Sequence, residues 1–371
     1  MIYLDNAATT PLDDAVFEEM LPYFKTLYGN SQSQHAVGRA AAEGLISARD
    51  RTARIFGCQP SEVYFLSGGT EAGNFAVKGA CAAHGRGHMI ISAIEHPAVI
   101  ESAEDMLRRG FEVTFVQPDG NGIIQPSEVE RAVRDDTFFC AVMAANNEIG
   151  TIQPVKEIGK ICASRGIFYY CDCVQSVGVV PFPVNYASAF AVSAHKFYGP
   201  KGAAAMYIKK GSAISPLLSG GMQERGLRGG TVNVSSAVGL AAALERAAVG
   251  ADNRKILALR NRFLTRVLSE IDGSILNGDS VLRVPANANL SFSGCDGENI
   301  LFCLDLKSIC VSTGSACSAG AVTPSHVVTA VAGKERAKSA VRFTFGKYNT
   351  SAEVDETVEA LKEIVSRIRS K

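Results

Sequence analysis

The chain has 371 residues and 47% of them are apolar, so it can bury a substantial core and is long enough for two domains. Basic and acidic side chains number 37 each, which argues against a general nucleic-acid binder because such a protein needs a basic face. The N-terminus lacks the features of a secretory signal, and no apolar run approaches the roughly 18 residues of a membrane span, so we expect a cytoplasmic protein outside the membrane.

The ten cysteines show no metal-site signature. There is no C-x-x-C pair, and the steps from Cys303 to Cys310 to Cys317 match no zinc-ligand spacing. Because cysteines in a cytosolic chain stay reduced, we expect no disulfides. Because the spacing matches no metal site, we also expect no structural metal.

Between about residues 60 and 210, short apolar runs alternate with segments of helical periodicity. The predicted strands span residues 63–66, 88–94, 111–116, 138–143, 167–171, 189–193 and 203–208, and helices are predicted to begin near residues 70, 98, 126 and 155. This alternation predicts an α/β fold whose mainly parallel sheet is covered on both faces. Ligands bind beyond the carboxyl ends of the strands in such sheets, so polar residues at those ends form the candidate site.

After about residue 210 the pattern changes. This part of the chain contains, in order, glycine-rich loops at 219–221 and 228–230, a long amphipathic helical stretch at 235–271, strand-like runs at 288–293 and 309–312, and a final helix at 352–368. This mixture predicts a second, smaller α+β domain.

A lysine lies just past one predicted strand, in Ser193-Ala194-His195-Lys196. A lysine in this position can bind a cofactor covalently through a Schiff base. The neighbouring serine and histidine can donate hydrogen bonds to a phosphate group. A lone loop lysine is more often simply exposed, so this interpretation depends on other residues at the same edge.

Asp172 ends the preceding predicted strand and supplies such a residue. Pyridoxal 5′-phosphate (PLP) acts as an electron sink when its pyridine nitrogen stays protonated, and a carboxylate can hold that proton. Gln175 can donate a hydrogen bond to the phenolic oxygen of the same cofactor. Aspartate is also a good helix N-cap, which is the simpler interpretation of Asp172 in isolation.

Three other predicted strand ends carry polar residues. Gly69 and Thr70 open a helix, where backbone N–H groups can bind an anion, although no Gly-Lys-Ser/Thr follows as in a P-loop. His96 can stack on an aromatic ring and move protons, and Asn146 ends the next strand. Each could be an ordinary polar loop residue, but together they predict a PLP site.

Cys317 differs from the other cysteines because it lies among small residues, in Gly314-Ser315-Ala316-Cys317-Ser318. A loop of this composition should be accessible, and an exposed thiol is a liability unless it is used. An accidental surface cysteine is the alternative. The predicted PLP site favours a functional thiol.

The order of these motifs resembles that of the cysteine desulfurases, in the branch that serves nitrogenase and general iron–sulfur cluster assembly. The similarity runs nearly from end to end of the chain, through Tyr3-Leu4-Asp5-Asn6-Ala7-Ala8-Thr9-Thr10, Gly68-Gly69-Thr70-Glu71, Glu95-His96, Asn146-Asn147-Glu148-Ile149-Gly150, Asp172-x-x-Gln175, Ser193-Ala194-His195-Lys196, Gln223-Glu224-x-Gly226-x-Arg228-x-Gly230-Thr231, Gly314-Ser315-Ala316-Cys317 and Arg342-Phe343-x-x-Gly346. So many motifs in one order make the resemblance specific.

The resemblance implies a role for each candidate residue. The catalytic residues would be Lys196, which binds PLP, His96, which stacks on its ring, and Cys317, which takes the sulfur. The other cofactor ligands would be Asp172 at the ring nitrogen, Gln175 at the phenolic oxygen, Asn146, and the phosphate ligands Gly69, Thr70, Ser193, His195 and, across the interface of a homodimer, Thr231. Asn146 and Arg342 would bind the substrate carboxylate, for which the planar fork of arginine is suited.

The resemblance also implies PLP fold type I, with a large PLP-binding domain at residues 13–250 and a small domain formed by residues 1–12 and 251–371. The implied activity converts L-cysteine to L-alanine and transfers the sulfur to Cys317 as a persulfide, for iron–sulfur cluster assembly or other thiolation. The expected partners are L-cysteine, a second copy of the chain and a sulfur-acceptor protein such as an iron–sulfur scaffold.

Two segments depart from the family pattern without removing a catalytic group. Asn30-Ser31-Gln32-Ser33 lies where the family usually has Asn-Pro-Ser-Ser, and Lys347 lies where it often has arginine. Some relatives have a longer C-terminal tail that docks a scaffold protein, and we expect this protein to lack such a tail. The sequence therefore does not identify the sulfur acceptor.

Three other functions are compatible with parts of this pattern. A selenocysteine lyase or an aminotransferase can use the same scaffold, although an aminotransferase has no need of a loop thiol. A PLP-binding protein without turnover is the third, and the intact lysine, aspartate and thiol argue against it.

Overall fold

The computed structural model describes residues 1–314 and 324–370. The helices are α1 Asp14–Met20, α2 Pro22–Lys25, α3 Ala36–Phe56, α4 Gly69–His84, α5 Pro97–Arg108, α6 Pro126–Ala132, α7 Val155–Ser164, α8 Val234–Ala248, α9 Asn253–Glu270, α10 Gly297–Asp305, α11 His326–Ala332, α12 Lys334–Lys338 and α13 Ser351–Arg369. The strands are β1 Ile2–Tyr3, β2 Val63–Leu66, β3 His88–Ser92, β4 Glu112–Val116, β5 Thr137–Ala141, β6 Phe168–Asp172, β7 Ala189–Ser193, β8 Ala204–Ile208, β9 Ser274–Leu276, β10 Asn287–Phe292, β11 Ile309–Cys310 and β12 Ala340–Thr344.

The largest sheet has seven strands in the order β2-β8-β7-β6-β5-β3-β4. Strands β4, β3, β5, β6 and β7 are parallel, and β8 runs antiparallel to both of its neighbours, β7 and β2. Every strand except the edge strand β4 is buried along its whole length, because helices cover both faces of the sheet. The predicted α/β fold with a mainly parallel sheet is confirmed.

The C-terminal part of the chain builds two smaller sheets. One is antiparallel with the order β12-β10-β9, and the other pairs β1 with β11 in parallel, so the first residues of the chain join the C-terminal part. Ile2 and Leu4 share a hydrophobic core with residues of α9, β10, β12 and α13. The predicted division of the chain at residue 250 stays a prediction.

The predicted helical stretch at 235–271 is wrong as one helix, because α8 and α9 are separate and their axes differ by 69°. Gly250 lies between them with a φ of +63°, a backbone conformation that a helix cannot accommodate. No single helix among the described residues is long and apolar enough to cross a membrane; α8 and α9 pass that test only as a bent pair. The apolar residues of α8 are buried in the protein core.

Candidate active site

A cavity of about 270 Å³ opens at the carboxyl edge of the seven-stranded sheet. Its wall consists of Ala7, Ala8, Gly69, Thr70, His96, Met143, Ala145, Asn147, Asp172, Val174, Gln175, Ser193, His195, Lys196 and Arg342. Apart from Asn146 and Thr231, every candidate residue that the structure describes is in this wall. Because β2, β3, β5, β6 and β7 all end at this edge, residues far apart in the sequence meet around one space.

One end of the cavity has the character of an anion site. The N-cap of α4 is Gly68, so no side chain caps the first-turn N–H groups of the helix. A Cβ atom on Gly69 would lie 3.2 Å from the Cγ2 of Val174 and 3.9 Å from the Cβ of Ser193, so glycine permits the close packing at this point. Backbone N–H groups at a helix N-terminus, together with a nearby serine hydroxyl, are suited to a phosphate.

His195 borders the same end of the cavity. Its Nδ1 lies 3.1 Å from the Thr9 hydroxyl oxygen. Burial, and then the positive charges of Lys196 and Lys201, lower the pKa of His195 to about 4. The imidazole is therefore neutral at pH 7, and a neutral ring can donate one hydrogen bond to an anion.

Asp172 provides a buried carboxylate at the end of β6. Its Oδ1 accepts a hydrogen bond of 2.8 Å from the Val174 N–H group. Burial raises the pKa of Asp172 to about 6, while this hydrogen bond and the charge of Lys196 act in the opposite direction. A carboxylate that burial disfavours gains from a cationic partner, so a protonated ring nitrogen is the kind of group that would stabilise it.

Lys196 lies in a short 3₁₀ turn, Ala194–Lys196, directly after β7. Its Nζ donates hydrogen bonds to the backbone oxygens of Ala7 at 2.6 Å and Ala8 at 2.9 Å. The Nε2 of Gln175 donates to the same Ala7 oxygen at 3.0 Å. The N-terminal segment thus holds both side chains beside the cavity, a contribution of backbone carbonyl groups that no sequence motif reveals.

His96 is both a wall residue and the N-cap of α5. The Ala98 N–H group donates to its Nδ1 at 3.1 Å, which leaves Nε2 as the nitrogen that carries the proton. Burial, and then the charges of Lys196 and His326, lower the pKa of His96 to about 4. The ring is therefore neutral at pH 7, and its Nε2–H group can donate a hydrogen bond.

Asn146 is not among the wall residues of the cavity that it was expected to line. Asn146 is buried, its Nδ2 donates to the Ile94 oxygen at 2.8 Å, and its Oδ1 accepts from the N–H groups of Glu148 at 2.8 Å and Ile149 at 2.9 Å. This amide already serves the fold of its own loop, so the geometry does not support Asn146 as a ligand of this cavity. The neighbouring Asn147 lines the cavity, and its buried Oδ1 has no hydrogen-bond partner among the described residues.

Arg342 brings a buried guanidinium to the cavity from β12. Its Nη2 forms an ion pair of 2.8 Å with Asp5, and its Nη1 donates to the Asn147 backbone oxygen at 2.9 Å. The buried Nε has no partner among the described residues. A planar fork fixed from two sides, with donor capacity left over, is suited to an incoming carboxylate.

Two candidates lie elsewhere. Thr231 is exposed and follows Arg228, whose Nε pairs with Glu71 at 3.0 Å in the first turn of α4. Thr231 is not among the wall residues of the cavity. Cys317 lies outside the described residues.

The wall residues fit PLP. They offer an anion site at one end, a buried carboxylate for a ring nitrogen, a neutral imidazole, a lysine amine and an unpartnered asparagine oxygen, all at the carboxyl edge of a mainly parallel sheet. This combination defines a PLP-dependent enzyme of fold type I. Residues 2–357 match the family model described as aminotransferase class-V, and the chain belongs to that family.

Two of the proteins similar to this chain are described as cysteine desulfurase IscS. The chain is 43% identical to the cysteine desulfurase IscS of Methanosarcina thermophila, covering 100% of this chain and 93% of that protein. It is 42% identical to the cysteine desulfurase IscS of Dictyoglomus turgidum, covering 100% and 95%. Two solved structures are similar: a NifS-like protein, with a TM-score of 0.92, 35% identity and 99% of each chain covered, and SspA in complex with cysteine, with a TM-score of 0.84, 31% identity and 94% and 100% covered.

Proposed function

We propose that this protein is a PLP-dependent cysteine desulfurase that converts L-cysteine to L-alanine and takes the sulfur on Cys317. The observation that carries the proposal is the similarity over the whole chain to proteins named cysteine desulfurase, at 42% and 43% identity. The wall of the cavity supports it, because its residues supply the groups that PLP chemistry needs.

Eight of the wall residues would hold the cofactor. Lys196 would bind PLP covalently, Asp172 would hold the proton on its ring nitrogen, and His96 would stack on the ring. Gln175, which donates to the same Ala7 oxygen as Lys196, would donate a hydrogen bond to the phenolic oxygen. The α4 N-terminus at Gly69 and Thr70, with Ser193 and His195, would bind the phosphate. When bound, PLP supplies an electron sink for the bonds at the substrate Cα.

The remaining residues act on L-cysteine. Arg342 would bind its carboxylate, and Asn147, in place of Asn146, would contact the substrate or the cofactor ring through its unpartnered amide. Lys196 would remove the Cα proton after the substrate displaces it, because its amine is the basic group at this edge of the cavity. The neutral ring of His96 would move a second proton between substrate atoms.

The sulfur-transfer step involves a thiol of the chain itself. The Cys317 thiolate would attack the substrate sulfur, so that an S–S bond forms as the Cβ–S bond breaks. The electron pair of the broken bond passes to the substrate carbon, which takes up a proton to become the methyl group of L-alanine. One L-cysteine and one thiol thus give one L-alanine and one persulfide, with no other oxidant or reductant.

We propose further that the protein acts in the cytoplasm as a homodimer with two-fold symmetry, the commonest form of closed oligomer. Thr231 is exposed and is not among the wall residues of the cavity, which supports a role for it at the phosphate of the neighbouring subunit. The persulfide would then pass to an acceptor protein, such as an iron–sulfur scaffold.

The test is a product assay with purified protein, PLP and a thiol reductant. L-Cysteine should yield L-alanine and sulfide in equal amounts, and the K196A variant should yield neither. Release of pyruvate from L-alanine when a 2-oxo acid is added as amino acceptor, with no sulfide from L-cysteine, would identify an aminotransferase. Turnover of selenocysteine with none of cysteine would identify a selenocysteine lyase. Either result would contradict the proposal.

A further inference from the structure

Glu148 is a buried carboxylate at the edge of the site to which the proposed mechanism gives no role. Only 1% of the residue is exposed, and it follows Asn147 in the loop after β5. Its backbone oxygen accepts hydrogen bonds from the amides of Asn287 at 2.9 Å and Asn289 at 3.1 Å, both on β10. The backbone of Glu148 is therefore held in place independently of its side chain.

The side chain of Glu148 contacts the start of α11. The Ser325 hydroxyl donates a hydrogen bond to its Oε2, and the oxygen of the same hydroxyl accepts from the Val328 N–H group at 3.0 Å as the N-cap of the helix. One serine thus fixes the first turn of α11 and connects it to the loop after β5. A hydrogen bond to a buried carboxylate is stronger than one between neutral groups, so this contact is suited to hold two separate elements together.

The same carboxylate also faces Gly314, the last described residue before the segment that contains Cys317. A Cβ atom on Gly314 would lie 3.7 Å from the Oε2 of Glu148 and 3.8 Å from the Cβ of Ser325. Gly314 is connected to β12 by its neighbour Ser312, which exchanges two backbone hydrogen bonds with Arg342, at 3.2 Å and 2.6 Å. Glu148 therefore binds Ser325 and lies next to Gly314, and Cys317 lies between these two residues in the sequence.

A second contact attaches α11 to the carboxyl edge of the sheet. The Nε2 of His326 lies 3.0 Å from the backbone oxygen of Glu95, the residue before His96. The start of α11 therefore contacts the loops after both β3 and β5, and each of these loops supplies a wall residue of the cavity. A shift of α11 would change its distance from the site, and a misplacement of about 1 Å can slow a reaction about a hundredfold.

We propose that Glu148 is a positioning residue for the sulfur-transfer step, which it serves by binding Ser325 beside Gly314 at the edge of the active site. This inference rests on the proposed function, because only that function assigns a reaction to Cys317. Glu148 takes no part in binding the cofactor or L-cysteine. Its loss should slow persulfide formation while leaving the earlier steps unchanged.

The sharpest test exchanges the donor and the acceptor of the contact. In S325D the new carboxylate caps α11 as well as serine does, but it meets Glu148 with a like charge. In E148Q/S325D the glutamine amide donates to the new carboxylate, so the contact returns with its direction reversed. S325N is the matched control, because asparagine is an equally good N-cap and its amide can donate to Glu148.

The measurement is the single-turnover rate of persulfide and alanine formation from L-cysteine by the PLP-loaded enzyme. S325D should be slowed by at least about tenfold, whereas S325N and E148Q/S325D should stay within about threefold of the wild type. The absorbance of bound PLP and its change on adding L-cysteine should be the same in all four proteins, and a cooperative thermal transition should show that each of them is folded. In steady state, kcat should fall in S325D while KM stays near its wild-type value.

Three outcomes would overturn the inference: S325D reacting at the wild-type rate, S325D losing cysteine binding together with its rate, or E148Q/S325D failing to recover. If S325D does not fold, E148A takes its place, with the same predicted loss of rate and E148Q as its control. Failure of the proposed function itself looks different, because the wild type would then form no persulfide, or C317S would form alanine at the normal rate.

Discussion

At the scale of single residues, two adjacent asparagines have different surroundings. The amide of Asn146 satisfies three backbone groups, in a local arrangement in which its Oδ1 accepts from the residues two and three positions later. The amide of Asn147 lies in the wall of the cavity with an unpartnered oxygen. The structure thus favours Asn147 as the group available to a ligand.

This difference predicts that two alanine substitutions affect different properties, one the stability of the fold and the other the binding of ligands. N146A should lower the free energy of unfolding of the PLP-free protein by about 3 kcal/mol, because three buried backbone groups lose their partner. N147A should change that free energy by less than about 1 kcal/mol and weaken the binding of PLP or L-cysteine instead. Urea unfolding and a spectroscopic PLP titration measure the two effects. Equal stability of the two variants would contradict the assignment.

Most of the candidate site could be predicted at the residue scale, because parallel strands end at a common edge. The lysine after β7, the aspartate ending β6 and the histidine after β3 are each visible as a polar residue after an apolar run. Asn147 could not be distinguished from Asn146, since which residue of a loop turns inward depends on the loop's hydrogen bonds. The carbonyl groups of Ala7 and Ala8 could not be predicted, because a backbone group has no residue type to recognise.

At the scale of elements, the sequence pattern does not predict the break between α8 and α9. The apolar periodicity continues through it, and only Gly250 and the polar residues after it indicate a turn. The end of α8 packs against Gly178, in the segment that follows Asp172 and Gln175. A Cβ atom on Gly178 would lie 2.2 Å from the backbone oxygen of Ala247, and the Asn253 amide donates to the Gly178 oxygen at 2.6 Å.

The close approach at Gly178 predicts a difference between two glycines of similar backbone conformation. Gly178 has a φ of +72° and Gly166 a φ of +67°, but no atom lies within 4 Å of a Cβ atom on Gly166. G166A should lower the free energy of unfolding by about 1 kcal/mol through backbone strain alone. G178A should lower it by about 2 kcal/mol more, since α8 must also shift. Equal losses in chemical unfolding would show that the contact with α8 is unimportant.

At the scale of the whole molecule, the class of the main sheet could be predicted, but the joining of the two chain ends could not. Alternating strands and helices indicate a parallel sheet. The two-residue strands β1 and β11 carry too little pattern to be recognised, and their pairing connects residues 2–3 with 309–310. The same connection places Asp5 beside Arg342, so the position of this arginine depends on residues from both ends of the chain.

The proposed dimer makes a prediction for mixed subunits. If Thr231 serves the neighbouring site, a dimer of one K196A subunit and one T231A subunit contains one intact site, and co-purified mixed dimers should recover desulfurase activity that neither parent has. Thr70 lies in the cavity of its own chain, so mixing K196A with T70A should give no recovery. Absence of recovery with T231A, or a monomer in sedimentation, would contradict the role proposed for Thr231.

The central claim is that the sulfur of L-cysteine leaves on a thiol of the protein. The most direct measurement is alanine formation by C317S with bound PLP and L-cysteine under reducing conditions. A hydroxyl is a far poorer nucleophile toward sulfur than a thiolate, so C317S should keep the absorbance of bound PLP and its change on adding L-cysteine, yet release almost no alanine. Alanine formation at the wild-type rate would show that no persulfide of Cys317 is needed and would contradict the account.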